Sequence, residues 1–361
     1  MIIADEMSLL LYNLLGIRPN GFGLEIEDSS LKAIMLKKTR KGAEVVSCAA
    51  RQMKKGIIQD GQVVNKQELA NEIGGLLASA KPRPIKSKFV VFSIPESKSF
   101  IRTIQIPKMT REEAVEAVKW ETEANIPVSA DKVYLDWQVI ESKEKNEEVL
   151  VVAVPKEIAD GYYESMRLAK LFPLAAEVDV IATIRSLTSE QEVKTTLIVD
   201  VGADVTSVSV CRNQIPYFTS SLPVSGKTFT DALQKGLGVS WEKAEELKAK
   251  YGLGKMQKDD MLYNIYNPLL ENLAREIEKS LVFYADSIDP NSQVESIILS
   301  GGGSLLRYMA DYLSKRIKGQ VILGSPAKGL GISKDLPAEV VRDICPFATA
   351  VGLAMKANDC L

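Results

Sequence analysis

The stretch Thr196-Leu197-Ile198-Val199-Asp200-Val201-Gly202-Ala203-Asp204-Val205-Thr206 reads as a strand, a small-residue turn and the start of a second strand. A carboxylate ends the strand, and a glycine turn and a hydroxyl follow it. Such a turn can cradle phosphate on the amides of residues 202–206, and Asp200 can hold Mg²⁺ through water, because magnesium keeps several waters and takes few carboxylates. Alone, the same stretch is equally an ordinary hairpin.

Two other segments bear on that choice. Ser296-Ile297-Ile298-Leu299-Ser300 is a buried strand that runs into Gly301-Gly302-Gly303, with a helix expected over 305–316. Without Cβ atoms, a phosphate or a flat ring can approach such a backbone closely, and its amides can face an anion. The competing reading is a tight turn needing positive φ. No Gly-Lys-Ser/Thr follows, so this is not a Walker A loop. Paired with the Asp200 turn, the glycine run favours a phosphate clamp.

The first half of the chain opens in the same manner. Gly23-Leu24-Glu25-Ile26-Glu27 and Ser30-Leu31-Lys32-Ala33-Ile34-Met35-Leu36 are alternating strands joined by a polar turn at Asp28-Ser29. An acidic residue at a strand end, a short turn and a second strand thus recur in both halves, a weak internal duplication. Glu25 can stand in a metal's shell, and Ser29, Ser30 and Lys32 can face phosphate oxygens. Glu27, however, occupies a position where a phosphate turn wants glycine, and extra negative charge there is unfavourable unless a metal or lysine offsets it. A structural hairpin and a working phosphate loop both remain open for this segment.

Composition removes several alternatives. The chain has 361 residues, enough for about two domains, and no histidine, which excludes Ser-His-Asp and Cys-His nucleophile systems and His-ligated zinc. Lys+Arg (45) and Asp+Glu (47) nearly cancel, so no nucleic-acid footprint is expected. Cys48, Cys211, Cys345 and Cys360 are too scattered for a CxxC site and are expected to be reduced thiols, three of them core fillers. No apolar run reaches the length of a membrane span. Residues 1–16 form an apolar arm with Asp5 and Glu6 in place of a basic leader, so a cleaved signal is not expected; a packed helix and a partner-binding arm are both open.

Between the two halves, Phe89 to Ile94, Ser99 to Ile106, Thr110 to Glu123, Tyr134 to Ile140, Val149 to Val154 and Lys156 to Leu171 give the order β-β-α-β-β-α. Thr110 and Glu113 stand at capping-box spacing. This order predicts a self-sufficient α+β module inserted between other elements, over residues 87–174.

Taken together, these motifs resemble the actin/Hsp70/sugar-kinase superfold, and within it the type IV pilus assembly protein PilM family, a relative of the cell-division protein FtsA. The first phosphate motif is similar to Glu25–Lys32 and the second to Asp200-Val201-Gly202 with Thr206. The first connecting helix resembles Glu177-Val178-Asp179-Val180-Ile181-Ala182-Thr183. Ser225-Gly226-Lys227 followed by Ala244-Glu245-Glu246-Leu247-Lys248 looks like the segment whose glutamate and lysine contact the nucleoside. The adenosine motif resembles Ser300-Gly301-Gly302-Gly303-Ser304, and the second connecting helix Pro346 to Met355. The inserted module is what sugar kinases and Hsp70 lack.

The resemblance implies an α/β, actin-like (ribonuclease H-like) two-lobed fold: first lobe over 17–86, 175–194 and 341–361, inserted module over 87–174, second lobe over 195–340. It implies ATP with Mg²⁺ held by Glu25 and Asp200, and phosphate and nucleoside contacts from Ser29, Ser30, Lys32, Gly202, Ala203, Asp204, Thr206, Gly226, Glu245, Lys248 and Gly301 to Ser304. Any hydrolysis is expected to be slow, with Asp200 organising the metal and Asp179 or Glu177 positioning water. The implied partner is the cytoplasmic peptide of a PilN-type inner-membrane pilus protein, docked between the first lobe and the module, with self-association as a further expectation. Because the sequence ends at Leu361 without FtsA's basic amphipathic helix, membrane contact is expected only through that partner. An FtsA-like division scaffold and, from another class, a small-molecule kinase with Asp179, Asp200 or Asp204 as base are the alternatives.

Overall fold

A computed structural model describes residues 20–40, 42–125, 129–142, 144–189, 194–254, 260–290, 293–317, 319–326 and 328–361. The apolar arm at 1–16 lies outside them. The first lobe starts with an antiparallel meander, β1 (Phe22–Ile26), β2 (Ser30–Thr39) and β3 (Gly42–Gln52). A two-residue pair, β4 (Ile58–Gln59) and β5 (Gln62–Val63), leads to α1 (Lys66–Ser79) and β6 (Phe89–Ile94). Asn65 caps α1 by accepting from the Glu68 amide at 3.0 Å, and Leu69, Ile73 and Leu76 bury its inner face.

The inserted module comprises β7 (Phe100–Pro107), α2 (Arg111–Asn125), β8 (Val133–Ser142) and β9 (Asn146–Pro155). The chain then returns through α3 (Lys156–Leu168), β10 (Phe172–Val178) and α4 (Asp179–Leu187). The second lobe holds β11 (Thr196–Val201), β12 (Thr206–Arg212), β13 (Ile215–Leu222), α5 (Gly226–Leu237), α6 (Trp241–Tyr251), α7 (Met261–Ser287), β14 (Ser296–Ser300), α8 (Met309–Ile317) and β15 (Val321–Leu323). β16 (Gly331–Ile332) and α9 (Ala338–Arg342) lead to α10 (Ala348–Asp359), which packs back on the first lobe.

Strand order proves the duplication. The first lobe's sheet runs β10-β6-β1-β2-β3-β16 and the second lobe's runs β13-β12-β11-β14-β15. In each, an antiparallel meander precedes two strands parallel to its first. Each lobe has its own core, one around Phe22, Leu24, Leu69 and Phe92, the other around Val199, Phe229, Tyr266 and Leu299.

The module is smaller than the sequence order suggested. Phe89–Ile94 pairs with β1 and β10 inside the first lobe's sheet, and the three-stranded module sheet is β7-β9-β8 alone. The physical reason is burial: all six residues of β6 are buried, as a parallel strand covered on both faces requires, whereas the edge of a small sheet would leave one face to solvent. Helix α3 likewise belongs to the first lobe, where Ile158, Tyr162 and Met166 join its core. Residues 172–178 form β10, and the connecting helix expected to begin at Glu177 starts only at Asp179. The helix expected from Leu305 is instead a short 3-10 turn, Gly302–Leu305, followed by Tyr308 at φ 72° and then α8.

The two connecting helices cross where side chains are absent. A Cβ on Gly352 of α10 would overlap the Ala182 carbonyl of α4, and beside it the hydroxyls of Thr183 and Thr349 meet at 2.8 Å.

Candidate functional site: an inter-lobe cleft and a groove beside the module

The β1–β2 turn and the β11–β12 turn face each other across the cleft, because each closes the equivalent hairpin of its lobe. Asp204 accepts from the amide and the hydroxyl of Ser29, at 2.9 and 2.5 Å. In the other direction Glu27 accepts from the Ala203 amide at 3.0 Å. Its second oxygen takes the Ser30 hydroxyl at 2.5 Å and the Lys32 ammonium at 3.2 Å. Lys32 also holds Glu25, at 2.7 Å. Ser29, Ser30, Lys32, Ala203 and Asp204 therefore meet in space, where they and Glu27 engage one another.

Negative charge exceeds positive charge in this pocket. Burial pushes the Glu25 carboxyl up to about 7 against the pull of Lys32. Burial likewise raises Asp200 to about 6. For Glu27 burial works upward too, but Lys32 and the hydrogen bonds from Ser30 and Ala203 prevail and hold its carboxyl below the ordinary range. Burial and the neighbouring Glu96 raise Asp179 well above its usual value, although its Oδ1 accepts from the amides of Glu96 and Val180 at 3.1 and 2.6 Å. Glu96, which sequence reasoning missed, also accepts from the Ser221 hydroxyl of the second lobe. No periodic signal marks it; only its 8% exposure in the folded chain does.

The glycine run splits into two roles. Gly301, at φ 79°, and Gly303 lie so close to Asp200 and Val201 that neither tolerates a Cβ, while nothing lies within 4 Å of a Cβ on Gly302. Ser304 turns inward and donates to the Gly301 carbonyl at 2.7 Å. Thr206, expected to face phosphate, is buried and donates to the Val224 carbonyl at 2.5 Å. The Gly202 amide closes its own turn onto Val205 at 3.0 Å, and Gly226 donates to the Gly202 carbonyl at 2.9 Å. Lys248 bonds Gly226, Thr230 and Glu245 at 3.0, 2.6 and 2.7 Å, which fixes α6 against α5 at the edge of the cleft.

For a metal ion, the observation that bears is the unpartnered oxygens. Glu25 Oε2 and Asp200 Oδ1 are buried without a hydrogen-bond partner, as is the Ser300 hydroxyl. They fit a cation, which would relieve the surplus charge. Among the described residues no three metal-ligating side chains gather for one, so such an ion would complete its shell with water or phosphate.

Glu177 is not in this cleft array. Its carboxylate is bound bidentately by Arg185 at 2.6 and 2.5 Å, on the floor of a groove of about 370 Å³ between the module and the first lobe. Residues 134–138 of β8 form one wall and residues 175–178 of β10 the other. Each is the last strand of its sheet, so both walls present strand edges. Leu135, Leu150, Val152, Val178 and Ile181 give the groove its apolar lining, to which Lys356 adds a charge.

Comparison with known proteins agrees with this arrangement. The family model described as "Type IV pilus assembly protein PilM" matches residues 23–358. The solved PilM-PilN type IV pilus biogenesis complex is similar over 94% of this chain and 99% of that one, at 30% identity and a TM-score of 0.83. The ethanolamine utilization protein EutJ from Carboxydothermus hydrogenoformans covers 97% of each chain at 13% identity and a TM-score of 0.56. MreB 5 of Spiroplasma citri bound to AMPPNP covers 94% of this chain and 95% of its own, at 12% identity and 0.54. The last two share the actin-like fold; the first two findings decide the family. With its two duplicated lobes, its inserted three-stranded module and a match across almost its whole length, the chain belongs to the type IV pilus assembly protein PilM family.

Proposed function

We propose that this chain is an actin-like scaffold of a type IV pilus assembly platform, and that the groove beside the module receives the cytoplasmic tail of a PilN-type inner-membrane protein. The observation that carries this reading is the pair of strand edges flanking an apolar trough. An extended peptide can add its backbone hydrogen bonds to β8 or β10, while its alternate apolar side chains enter the trough. The Glu177–Arg185 pair gives the floor one polar feature to set register.

On this reading the chain sits at the cytoplasmic face of the membrane through its partner, consistent with the finding that no helix among the described residues is long and apolar enough to cross a membrane. Fluorescence anisotropy of labelled PilN-type tail peptides with the purified chain tests it, and a Leu135→Glu variant should abolish the signal.

The inter-lobe cleft is proposed as the seat of an adenine nucleotide. Lys32 and the amides of the β11–β12 turn would meet its phosphates. Glu25 and Asp200 would share a cation that supplies charge neutralisation, and the open face at Gly302 leaves room beside the second lobe. If the bound nucleotide is hydrolysed, Asp200 would orient the cation's waters. Asp179, whose carboxyl burial and Glu96 push upward, would position water beside the cleft.

A further inference from the structure

The cleft already contains an anion of its own. Glu27 stands at the turn position where the resemblance leads one to expect glycine, and its carboxylate collects the Ala203 amide, the Ser30 hydroxyl and the Lys32 ammonium. Those three donors are the ones a phosphoryl group would need. The turns are close, since a Cβ placed on Gly202 would stand 2.6 Å from Glu27 Oε1. Ser29, also in the first turn, is committed to Asp204 through its amide and hydroxyl. A phosphate entering this space therefore meets three donors already held by Glu27, and a buried negative charge.

We propose that the Glu27 carboxylate is a built-in competitor for the phosphate groups of a nucleoside triphosphate, holding the lobes together in its absence and moving off the Ala203 amide when nucleotide binds. The inference rests on the nucleotide reading of the cleft. Two carboxylates cross between the lobes, Glu27 to Ala203 and Asp204 to Ser29, and tie the two turns together. Burying phosphate oxygens against an ionised Glu27 is costly at the short range and low dielectric of the cleft. Nucleotide affinity is then lowered by the fraction of molecules in which Glu27 has moved away.

The test is equilibrium binding of Mg-AMPPNP to the full chain in three forms: wild type, Glu27→Gly and Glu27→Gln, each checked for its fold by circular dichroism. Glycine removes the competitor, and glutamine keeps its length without its charge, so Glu27→Gln decides if the glycine form fails to fold. The expected result is that the folded variants bind at least about tenfold more tightly than wild type. Equal affinity in wild type and variants overturns the competition while leaving the nucleotide site intact. No binding by any of the three overturns the nucleotide reading itself, and the inference with it.

Discussion

Arg185 lays both terminal nitrogens of its guanidinium on the carboxylate of Glu177, at 2.6 and 2.5 Å, and one of them also reaches the Gly352 carbonyl at 3.1 Å. One ion pair thus joins β10, α4 and α10 beneath the groove. Both side chains are largely buried, 17% and 13% exposed. Breaking the pair strands a charge, so Arg185→Ala is expected to lower stability by about 3 kcal/mol. The double change Arg185→Met with Glu177→Gln should recover part of that loss. A double-mutant cycle from urea unfolding measures the coupling.

The crossing of α4 and α10 predicts a sharp contrast between two glycines. Gly352→Ala must push the helices apart, because its Cβ would overlap the Ala182 carbonyl. A loss of about 3 kcal/mol is expected. Gly302→Ala adds a Cβ to open space and should change stability by less than about 1 kcal/mol. Thermal unfolding of the two variants separates them.

The buried carboxyls of the cleft make stability depend on pH in a defined direction. The folded-state values of about 7 for Glu25 and about 6 for Asp200 lie above their ordinary 4.5 and 3.8. The folded chain therefore binds more protons than the unfolded one between roughly pH 4 and 7, and stability falls as pH rises through that window. Their contribution is fully present below it and lost above. Glu25→Gln should flatten the slope between pH 5 and pH 7.5 in a series of denaturant melts; an unchanged slope would assign the effect to other groups.

The tie between the turns is expected to be locally visible. Ser29→Ala removes one of the two donors held by Asp204 and should cost about 1 kcal/mol globally. Its larger effect falls on the cleft, where hydrogen exchange of peptides covering residues 200–206 should accelerate while the module's peptides stay unchanged.

Much of the architecture was legible in the residues. The alternating strands around Asp28-Ser29, the repeat of that hairpin at Asp200, and the strand entering Gly301 place the two lobes and both cleft turns. β10 escaped because Phe172-Pro173-Leu174-Ala175-Ala176 has no period-2 pattern: nearly every residue is buried, and only pairing to β6 makes it a strand. The same full burial misassigned β6 to the module. Glu177 was grouped with Asp179 because both lie in the segment that resembles the first connecting helix, yet the strand-to-helix junction between them sends one carboxylate to the groove and leaves the other beside Glu96. The two matching hairpins were legible in the residues, but that Glu27 would take up the Ala203 amide, the Ser30 hydroxyl and Lys32 depends on how closely the lobes approach, which no local pattern encodes.

On the proposed function, the groove between β8 and β10 receives the tail of a membrane-bound partner. The most direct measurement is titration of a labelled N-terminal cytoplasmic peptide of a PilN-type protein into the purified chain, repeated with Leu135→Glu and Ile181→Glu. Saturable 1:1 binding to wild type that both substitutions abolish is the predicted result. Binding of undiminished affinity to both folded variants, or none to wild type, would contradict it.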